Sequence, residues 1–127
     1  SASYYPPQSA PARKRPAEIG KLDHKTLRQL KKGRLSIDAR IDLHGMTQMH
    51  AHAALKSFLT DSAARDHRIV LVITGKGRHS GGVLRQQVPH WLEEREFREL
   101  VSGFRAAHLS HGGEGALYIR LRRRRQR

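Results

Sequence analysis

The 127-residue chain carries 25 lysines and arginines against 11 acidic residues, a formal net charge of +14. This length suits one domain with tails, and so large a positive surplus favours a nucleic acid partner bound through its phosphates. The chain contains no cysteine, which excludes disulfides, thiolate catalysis and thiolate zinc sites. Its mean hydropathy is −0.69, and no apolar run approaches the ~18 residues of a membrane-spanning helix. We therefore expect a cytoplasmic protein with no membrane partner.

Two basic segments precede the predicted domain. Residues 1–22 hold four of the five prolines and the cluster Arg13-Lys14-Arg15, without apolar periodicity, which predicts a disordered arm. Residues 23–34 predict a short basic helix, with a capping aspartate at its start and a glycine at its end. Its apolar side holds only Leu27 and Leu30, so we expect it to dock weakly on the domain.

An alternating stretch follows, with an apolar residue at every second position. This period predicts a strand over 34–44 with one buried face and one polar face. Asp42 and His44 are two residues apart, so both project from the polar face at the carboxyl end of the strand. Gly45 permits a sharp turn, and Thr47 is a suitable N-cap for the next helix. The alternative is that the carboxylate only pairs with the neighbouring arginine and the imidazole only packs.

A helix and a second strand come next. Apolar residues recur at helical spacing over 47–64, and Ile69–Ile73 is an uninterrupted, mostly β-branched run typical of a central strand. Strand, helix and strand over this length predict a right-handed βαβ unit with parallel strands. Their carboxyl ends then lie at one edge of the sheet, which brings Asp42 and His44 beside the turn at residues 74–77.

The second half of the chain predicts one further helix and two further strands. Trp91 lies on the apolar stripe of the helix and is predicted to be a core residue, with a kink or restart at Pro89. Residues 100–104 predict the third strand, and the alternation over 117–122 predicts the fourth. Residues 123–127 form a basic tail.

The turn Thr74-Gly75-Lys76-Gly77 is rich in glycine and directly follows the second strand. It lacks the spacing of a Walker phosphate loop and of a dinucleotide fingerprint. Its glycines would instead let a sugar-phosphate backbone approach closely, with Lys76 as a point charge. The alternative is an ordinary glycine turn.

Further residues extend the positive charge around this turn. Arg78, His79 and Arg85 favour phosphate contacts, although a solvated basic face is the alternative. His111 would bring another imidazole to the same edge, unless it is only a turn histidine. We therefore predict nucleic acid binding by Thr74, Gly75, Lys76, Gly77, Arg78, Arg85, His111, Gly112 and Gly113.

The histidines give little support for a dedicated metal site. The nine histidines include no HExxH pattern. His50 and His52 lie ~200° apart on the first helix and are interpreted as surface residues. Asp42 and His44 could hold one Mg²⁺ or Mn²⁺ loosely, but two ligands are too few to predict a metal site, so the cofactor stays open.

Three of these stretches resemble, in the same order, the motifs of the Smr (small MutS-related) domain family. Ile41-Asp42-Leu43-His44-Gly45 resembles its LDLHG motif, Thr74-Gly75-Lys76-Gly77 resembles its TGxG turn, and residues 111–116 resemble its closing HGGxGA motif. Val88-Pro89-His90-Trp91-Leu92 is similar to its VPxWL helix. The ordered set identifies residues 35–122 as a domain of this family, of the stand-alone bacterial type.

The resemblance implies an α/β fold: a two-layer α/β sandwich with a four-stranded mixed sheet and two main helices in the order β-α-β-α-β-β. This fold is similar to the C-terminal domain of bacterial translation initiation factor three, and it leaves the polar face of the first strand uncovered by helices. Family members are endonucleases that nick or resolve branched DNA or cleave RNA, including messenger RNA on stalled ribosomes. The resemblance implies that activity depends on Asp42 and His44 and that Gly75 and Gly77 shape the site.

The resulting hypothesis is a small basic endonuclease. His44 would act as a general acid or base on a phosphodiester, and Asp42 would orient it or help to hold a divalent cation. RNA supplies its own 2′-hydroxyl nucleophile, whereas DNA requires an activated water and makes a metal more necessary. The alternative is a non-catalytic module that binds DNA, RNA or a ribosome, and a phosphate-ligand enzyme is a third option. The substrate and the oligomeric state stay open at this point.

Overall fold

The computed structural model describes residues 25, 28–30, 32, 36–77, 82–107, 111 and 113–123. The predicted arm at 1–22 and most of the basic tail lie outside these residues. The elements run in the order β1 (Ala39–Asp42), α1 (Gln48–Ala64), β2 (Ile69–Ile73), α2 (Val83–Trp91), α3 (Arg95–Arg98), β3 (Val101–Ala106), a 3₁₀ turn (Gly113–Gly115) and β4 (Ala116–Leu121).

The four strands form one mixed sheet in the order β1-β2-β4-β3. β1 and β2 are parallel, whereas β4 runs antiparallel to both of its neighbours. The α/β fold class and the mixed sheet are therefore confirmed. Because the chain crosses from β1 to β2 through α1, both strands end at the same edge of the sheet. That edge carries the turns after Asp42 and after Ile73.

The helices cover one face of the sheet. Val70 and Val72 of β2 point to this side and pack with Leu55 of α1 and Trp91 of α2. Trp91 is fully buried, which confirms the prediction that it is a core residue. Within the described part of the chain, no helix is long and apolar enough to cross a bilayer.

The opposite face of the sheet carries a second, smaller apolar cluster. Ile69 and Leu71 alternate with the helix-facing valines of β2, and they pack with Tyr118 and Leu30. Leu30 is only 4% exposed, and Tyr118 is fully buried. The expectation that helices leave this face uncovered is therefore corrected, because the backbone is helical at residues 28–30 and Leu30 packs there.

Two predicted elements differ in extent. β1 spans only Ala39–Asp42, rather than 34–44. Asp38 accounts for the shorter strand at its start, because its carboxylate accepts hydrogen bonds from the backbone N–H groups of Arg68 (2.7 Å) and Ile69 (3.3 Å). Ile37, just before this contact, packs with the second cluster instead of the helix side. Of the kink or restart predicted at Pro89, the restart is excluded, since α2 continues through that residue.

Candidate active site

The edge where β1 and β2 end carries an exposed carboxylate and imidazole on either side of a buried residue. Leu43 is fully buried, and its N–H donates to the Ile73 carbonyl over 2.7 Å. With Leu43 anchored in the core, the Asp42 and His44 side chains lie outside it, 51% and 68% exposed. Neither side chain fills the core, as the alternation predicted.

Asp42 and His44 form a hydrogen-bonded dyad. His44 Nδ1 lies 2.6 Å from Asp42 Oδ1, and the backbone N–H of His44 donates to the same oxygen over 3.0 Å. Since an ionised carboxylate only accepts hydrogen bonds, the proton of this contact belongs to Nδ1. The neutral imidazole then keeps its lone pair on Nε2, to which no described residue bonds. This is the tautomer that a general base requires.

The dyad also sets the charge of its carboxylate. Desolvation is the largest single influence on the pKa of Asp42 and raises it. Three influences of His44 lower this pKa: the hydrogen bond from its side chain, the hydrogen bond from its backbone and electrostatic attraction. Together they outweigh desolvation, so the pKa of Asp42 lies below the ordinary 3.8. Asp42 is therefore ionised at neutral pH, where it stabilises a protonated imidazole.

A tight turn links the dyad to α1. Gly45 adopts φ +83°, a conformation that side chains rarely allow, and the Met46 N–H donates to the Leu43 carbonyl over 3.0 Å. Thr47 is the N-cap of α1, as predicted, and its hydroxyl accepts from the His50 N–H over 3.2 Å. The first turn of α1 holds no acidic residue, so the positive end of the helix dipole beside the dyad is not neutralised from within the helix.

The glycine-rich turn lies against the dyad, as the parallel strands predicted. A Cβ built on Gly75 would stand 3.1 Å from His44 Cβ, and Gly75 adopts φ +88°. The residue is thus glycine for two reasons, its backbone conformation and the close approach of His44 Cβ. Lys76 follows it and is exposed, which leaves an ammonium group at the same edge as the dyad.

The closing 3₁₀ turn holds the glycine-rich turn in place. The Gly115 carbonyl accepts from the Thr74 N–H (2.8 Å) and the Gly75 N–H (3.1 Å). The Thr74 hydroxyl bonds to the carbonyls of Gly75 and Gly115, and this residue is only 4% exposed. Gly113 is also buried. The placement of Thr74 and Gly113 therefore suits shaping of the turns rather than direct contact with a ligand.

The remaining predicted contacts are distributed around this edge. Arg85 is partly buried in the first turn of α2, which begins at Val83. Gly77 adopts φ +86° and is partly buried. Three of the basic and glycine positions, Arg78, His79 and Gly112, lie outside the described residues.

His111 lies on the face of the sheet opposite the helices. Its Nδ1 is 2.5 Å from the Tyr118 hydroxyl, and the two rings meet edge to face with their centroids 5.6 Å apart. Asp42 shares that face, because it pairs with Ile73, whose partner across β2 and β4 is Ala116. The structure thus brings His111 to the face of the dyad, where its hydrogen bond and ring contact are to Tyr118 and not to the dyad itself.

Some residues near the site carried no sequence signal. Met46 and Met49 are 39% and 77% exposed and are the exposed large hydrophobic residues of the described chain. Both follow the dyad within a few residues. Their apolar character had suggested nothing functional, since isolated surface hydrophobics are common.

His52 corrects a sequence interpretation. It is half-buried rather than a free surface residue, because its Nε2 lies 2.8 Å from Glu94 Oε1. Its ring also meets Trp91 and Phe97 edge to face, with centroids 5.0 and 5.2 Å away. Helical spacing cannot predict a contact between residues that are 42 positions apart in the sequence. His50, by contrast, is exposed as expected.

The described residues contain no group of three or more His, Asp or Glu side chains that could hold a metal ion. Asp42 and His44 are the two candidate ligands at the edge, and they are already bonded to each other. They do not make a dedicated metal site by themselves.

Comparison with known proteins agrees with this geometry. The Smr domain family matches residues 41–122. The chain is 33% identical over 99 residues to the ribosome rescue factor SmrB of Enterobacter sp. (strain 638), covering 77% of this chain and 50% of that protein. It is 32% identical to SmrB of Escherichia coli O157:H7 with the same coverage. The chain therefore spans about half the length of these curated relatives.

Two solved structures share the fold. YdaL, a stand-alone small MutS-related protein from Escherichia coli, superposes with a TM-score of 0.64 at 27% identity, covering 84% of this chain and 82% of YdaL. The Smr domain of Thermus thermophilus MutS2 gives a TM-score of 0.58 at 27% identity, covering 66% of this chain and 98% of that domain. The family match, the relatives and the fold agree, and the chain belongs to the Smr domain family.

Proposed function

We propose that this protein is an endonuclease that cleaves the phosphodiester backbone of nucleic acid at the Asp42–His44 edge. The observation that carries the proposal is the 2.6 Å contact between His44 Nδ1 and Asp42 Oδ1. It fixes the imidazole tautomer and leaves Nε2 available on an exposed side chain. A positioned imidazole with an ionised carboxylate behind it is the arrangement that general acid–base catalysis uses.

RNA is the substrate that this chemistry suits best. His44 Nε2 would take the proton of the 2′-hydroxyl, and the 2′-oxygen would attack the adjacent phosphorus. The bond from phosphorus to the 5′-oxygen breaks, and that oxygen takes a proton from solvent or from a cation at the edge such as Lys76. The products are a 2′,3′-cyclic phosphate and a 5′-hydroxyl. Asp42 stabilises the imidazolium that forms in between.

The surroundings of the dyad suit a polyanion. Lys76 supplies a positive charge, and the start of α1 supplies the positive end of a helix dipole that no acidic residue in its first turn offsets. Gly75 lets the glycine-rich turn, with Lys76, pack directly against His44. The exposed thioethers of Met46 and Met49 offer an apolar surface for an unpaired base next to the cleaved bond.

The relatives favour the same substrate class. The SmrB proteins are named ribosome rescue factors, and a ribosome presents RNA. We propose that the full-length protein acts on RNA in association with ribosomes. DNA cleavage is the second candidate, and there an activated water would replace the 2′-hydroxyl. A divalent cation such as Mg²⁺ or Mn²⁺ would supply that activation when bound, with Asp42 as one ligand.

The direct test incubates the purified protein with labelled single-stranded RNA, duplex DNA and branched DNA, with and without EDTA. We expect cleavage of RNA that EDTA does not abolish, with 2′,3′-cyclic phosphate ends. Cleavage confined to DNA and lost in EDTA would replace the 2′-hydroxyl mechanism with a metal-assisted one. Tight binding without cleavage of any substrate would support the non-catalytic module instead.

A further inference from the structure

The acidic residues of the domain are concentrated in one layer. Apart from Asp38 and Asp42, every acidic residue whose side chain the structure describes lies in a helix or in a turn that ends one: Asp61, Asp66, Glu93, Glu94, Glu96 and Glu99. Helices α1, α2 and α3 all pack on the same face of the sheet. The helical layer is therefore the acidic side of the domain.

Two cations of the helical layer form ion pairs with these acids. Lys56 Nζ lies 2.9 Å from Glu96 Oε1, and Arg65 Nε lies 3.0 Å from Asp61 Oδ2. Each pair offsets its own charge locally, so this layer presents little net positive potential to a polyanion.

The opposite face of the sheet carries arginines instead. One row of paired residues crosses all four strands of the sheet. It runs from Arg40 on β1 through Leu71 on β2 and Tyr118 on β4 to Arg105 on β3. Residues directly opposite each other share a face. Arg40 and Arg105 thus lie at the two ends of this row, on the edge strands. Three strand spacings of ~4.8 Å separate them, about 14 Å in total.

A third arginine joins them. Arg120 lies two residues beyond Tyr118 on β4 and pairs with Ile69, so it projects from the same face. Among the described residues, no carboxylate pairs with Arg40 or Arg105. Asp42 lies two residues after Arg40 on this face, about 7 Å along the strand. The row of arginines therefore leads to the dyad.

The helical residues before β1 add charge on the same side. Leu30 is buried in the cluster on this face. Lys25, Arg28 and Lys32 are exposed, and Arg28 and Lys32, each two positions from Leu30, lie ~160° around the helix from it at ~100° per residue. Their stripe faces outward above the sheet, so it extends the positive side of the domain rather than closing it.

We propose that this surface binds the phosphodiester backbone of the nucleic acid and guides it to Asp42 and His44. The surface, here termed the basic face, consists of Lys25, Arg28, Lys32, Arg40, Arg105 and Arg120. The proposal rests on the proposed function for its ligand, and it adds where the ligand lies. Binding releases counterions from the backbone at the basic face, whereas the helical layer offers little net positive charge to the same strand.

The test compares two double charge reversals that change the net charge equally. Arg40→Glu with Arg105→Glu alters the basic face, and Arg95→Glu with Arg98→Glu alters exposed positions of α3 in the helical layer. Dissociation constants for labelled single-stranded RNA and single-stranded DNA are measured by fluorescence anisotropy over a series of salt concentrations. Thermal melts check folding, and Arg40→Gln with Arg105→Gln provides a milder variant of the same face.

We expect the basic-face reversal to weaken binding of both strands by ~10-fold or more and to reduce the log–log salt slope by ~1.4, at ~0.7 per lost phosphate contact. The α3 reversal should change affinity less than ~3-fold, since it removes no phosphate contact. Equal losses in both reversals, or a greater loss from the α3 reversal, would overturn the proposal.

The binding assay does not depend on cleavage. A protein that binds through the basic face but never cuts would refute the nuclease function alone, and one that cuts with normal affinity after the reversal would refute the basic face alone.

Discussion

The core beneath the helices and the edge beyond β1 and β2 differ in solvent exposure, although they meet within three consecutive residues. Leu43 belongs to the core, and its neighbours Asp42 and His44 belong to the edge. Leu43 and Trp91 are fully buried and surrounded by apolar side chains. Asp42 and His44 are at least half exposed. The core therefore determines whether the domain is folded, and the edge determines what the folded domain does. Substitutions in the two regions should separate these two properties.

The largest expected effect is on cleavage at the edge. His44→Ala should lower the cleavage rate by ~10²–10⁴-fold, because it removes the proposed acid–base group. Affinity for nucleic acid should change little, since backbone contacts elsewhere supply most of it. Single-turnover cleavage and anisotropy on the same RNA measure both quantities. His50→Ala is the matched control, an exposed histidine nearby in α1, and it should keep full activity. An equal loss in both variants would remove the special role of His44.

The largest effect on stability is expected in the core. Trp91→Ala should lower the free energy of unfolding by ~3–5 kcal/mol, because it removes a large, fully buried side chain. Chemical denaturation measures this value. Met49→Ala is the control, since this side chain is 77% exposed and should change stability by less than ~0.5 kcal/mol. A stable Trp91→Ala variant with weakened nucleic acid binding would place Trp91 in the binding surface instead.

A smaller effect should connect the two regions. Gly75→Ala should lower the free energy of unfolding by ~1–2 kcal/mol for its backbone conformation alone. It should also slow cleavage, because the new Cβ would stand 3.1 Å from His44 Cβ and displace the imidazole. Gly45→Ala is the matched control: its φ is +83°, but a Cβ there meets nothing within 4 Å. If both variants cleave at the same rate, the contact with His44 has no role in positioning.

The smallest effect concerns pH. The folded pKa of Asp42 is depressed, so its hydrogen bonds contribute stability above the ordinary value of 3.8 and that contribution is lost as the pH falls through the folded pKa. The stability difference between wild type and Asp42→Ala should therefore shrink on the acid side of 3.8. Denaturation over a pH series measures it. A difference that grows on acidification would mean that the folded pKa is raised.

Much of the core and of the edge could be predicted from the local periodicity of apolar residues in the sequence. The alternation before Asp42, the helical stripe of α1 and the apolar run of β2 together predicted the parallel pair, and hence that the dyad and Gly75 would meet. Such patterns predict which face of an element is buried. They also predicted Trp91 in the core, because its apolar neighbours share one helical stripe.

Contacts between distant segments were not predictable in this way. Leu30 packs on Tyr118 and Leu71, and no local period marks which face of the sheet will receive it. His52 reaches Glu94 in the turn after α2. The arginine row exists only through the register of four strands. Each of these features depends on strand order and long-range packing, which a periodic pattern leaves undetermined.

The proposed function requires Asp42 and His44 to act as one unit in breaking a phosphodiester bond. The most direct test is single-turnover cleavage of labelled RNA by wild type, Asp42→Ala, His44→Ala and the double variant, each at saturating protein. Because groups that act as a unit are not additive, the double variant should be little slower than the slower single variant. Losses that multiply would show that the two residues act separately, and full activity in both single variants would contradict the site itself.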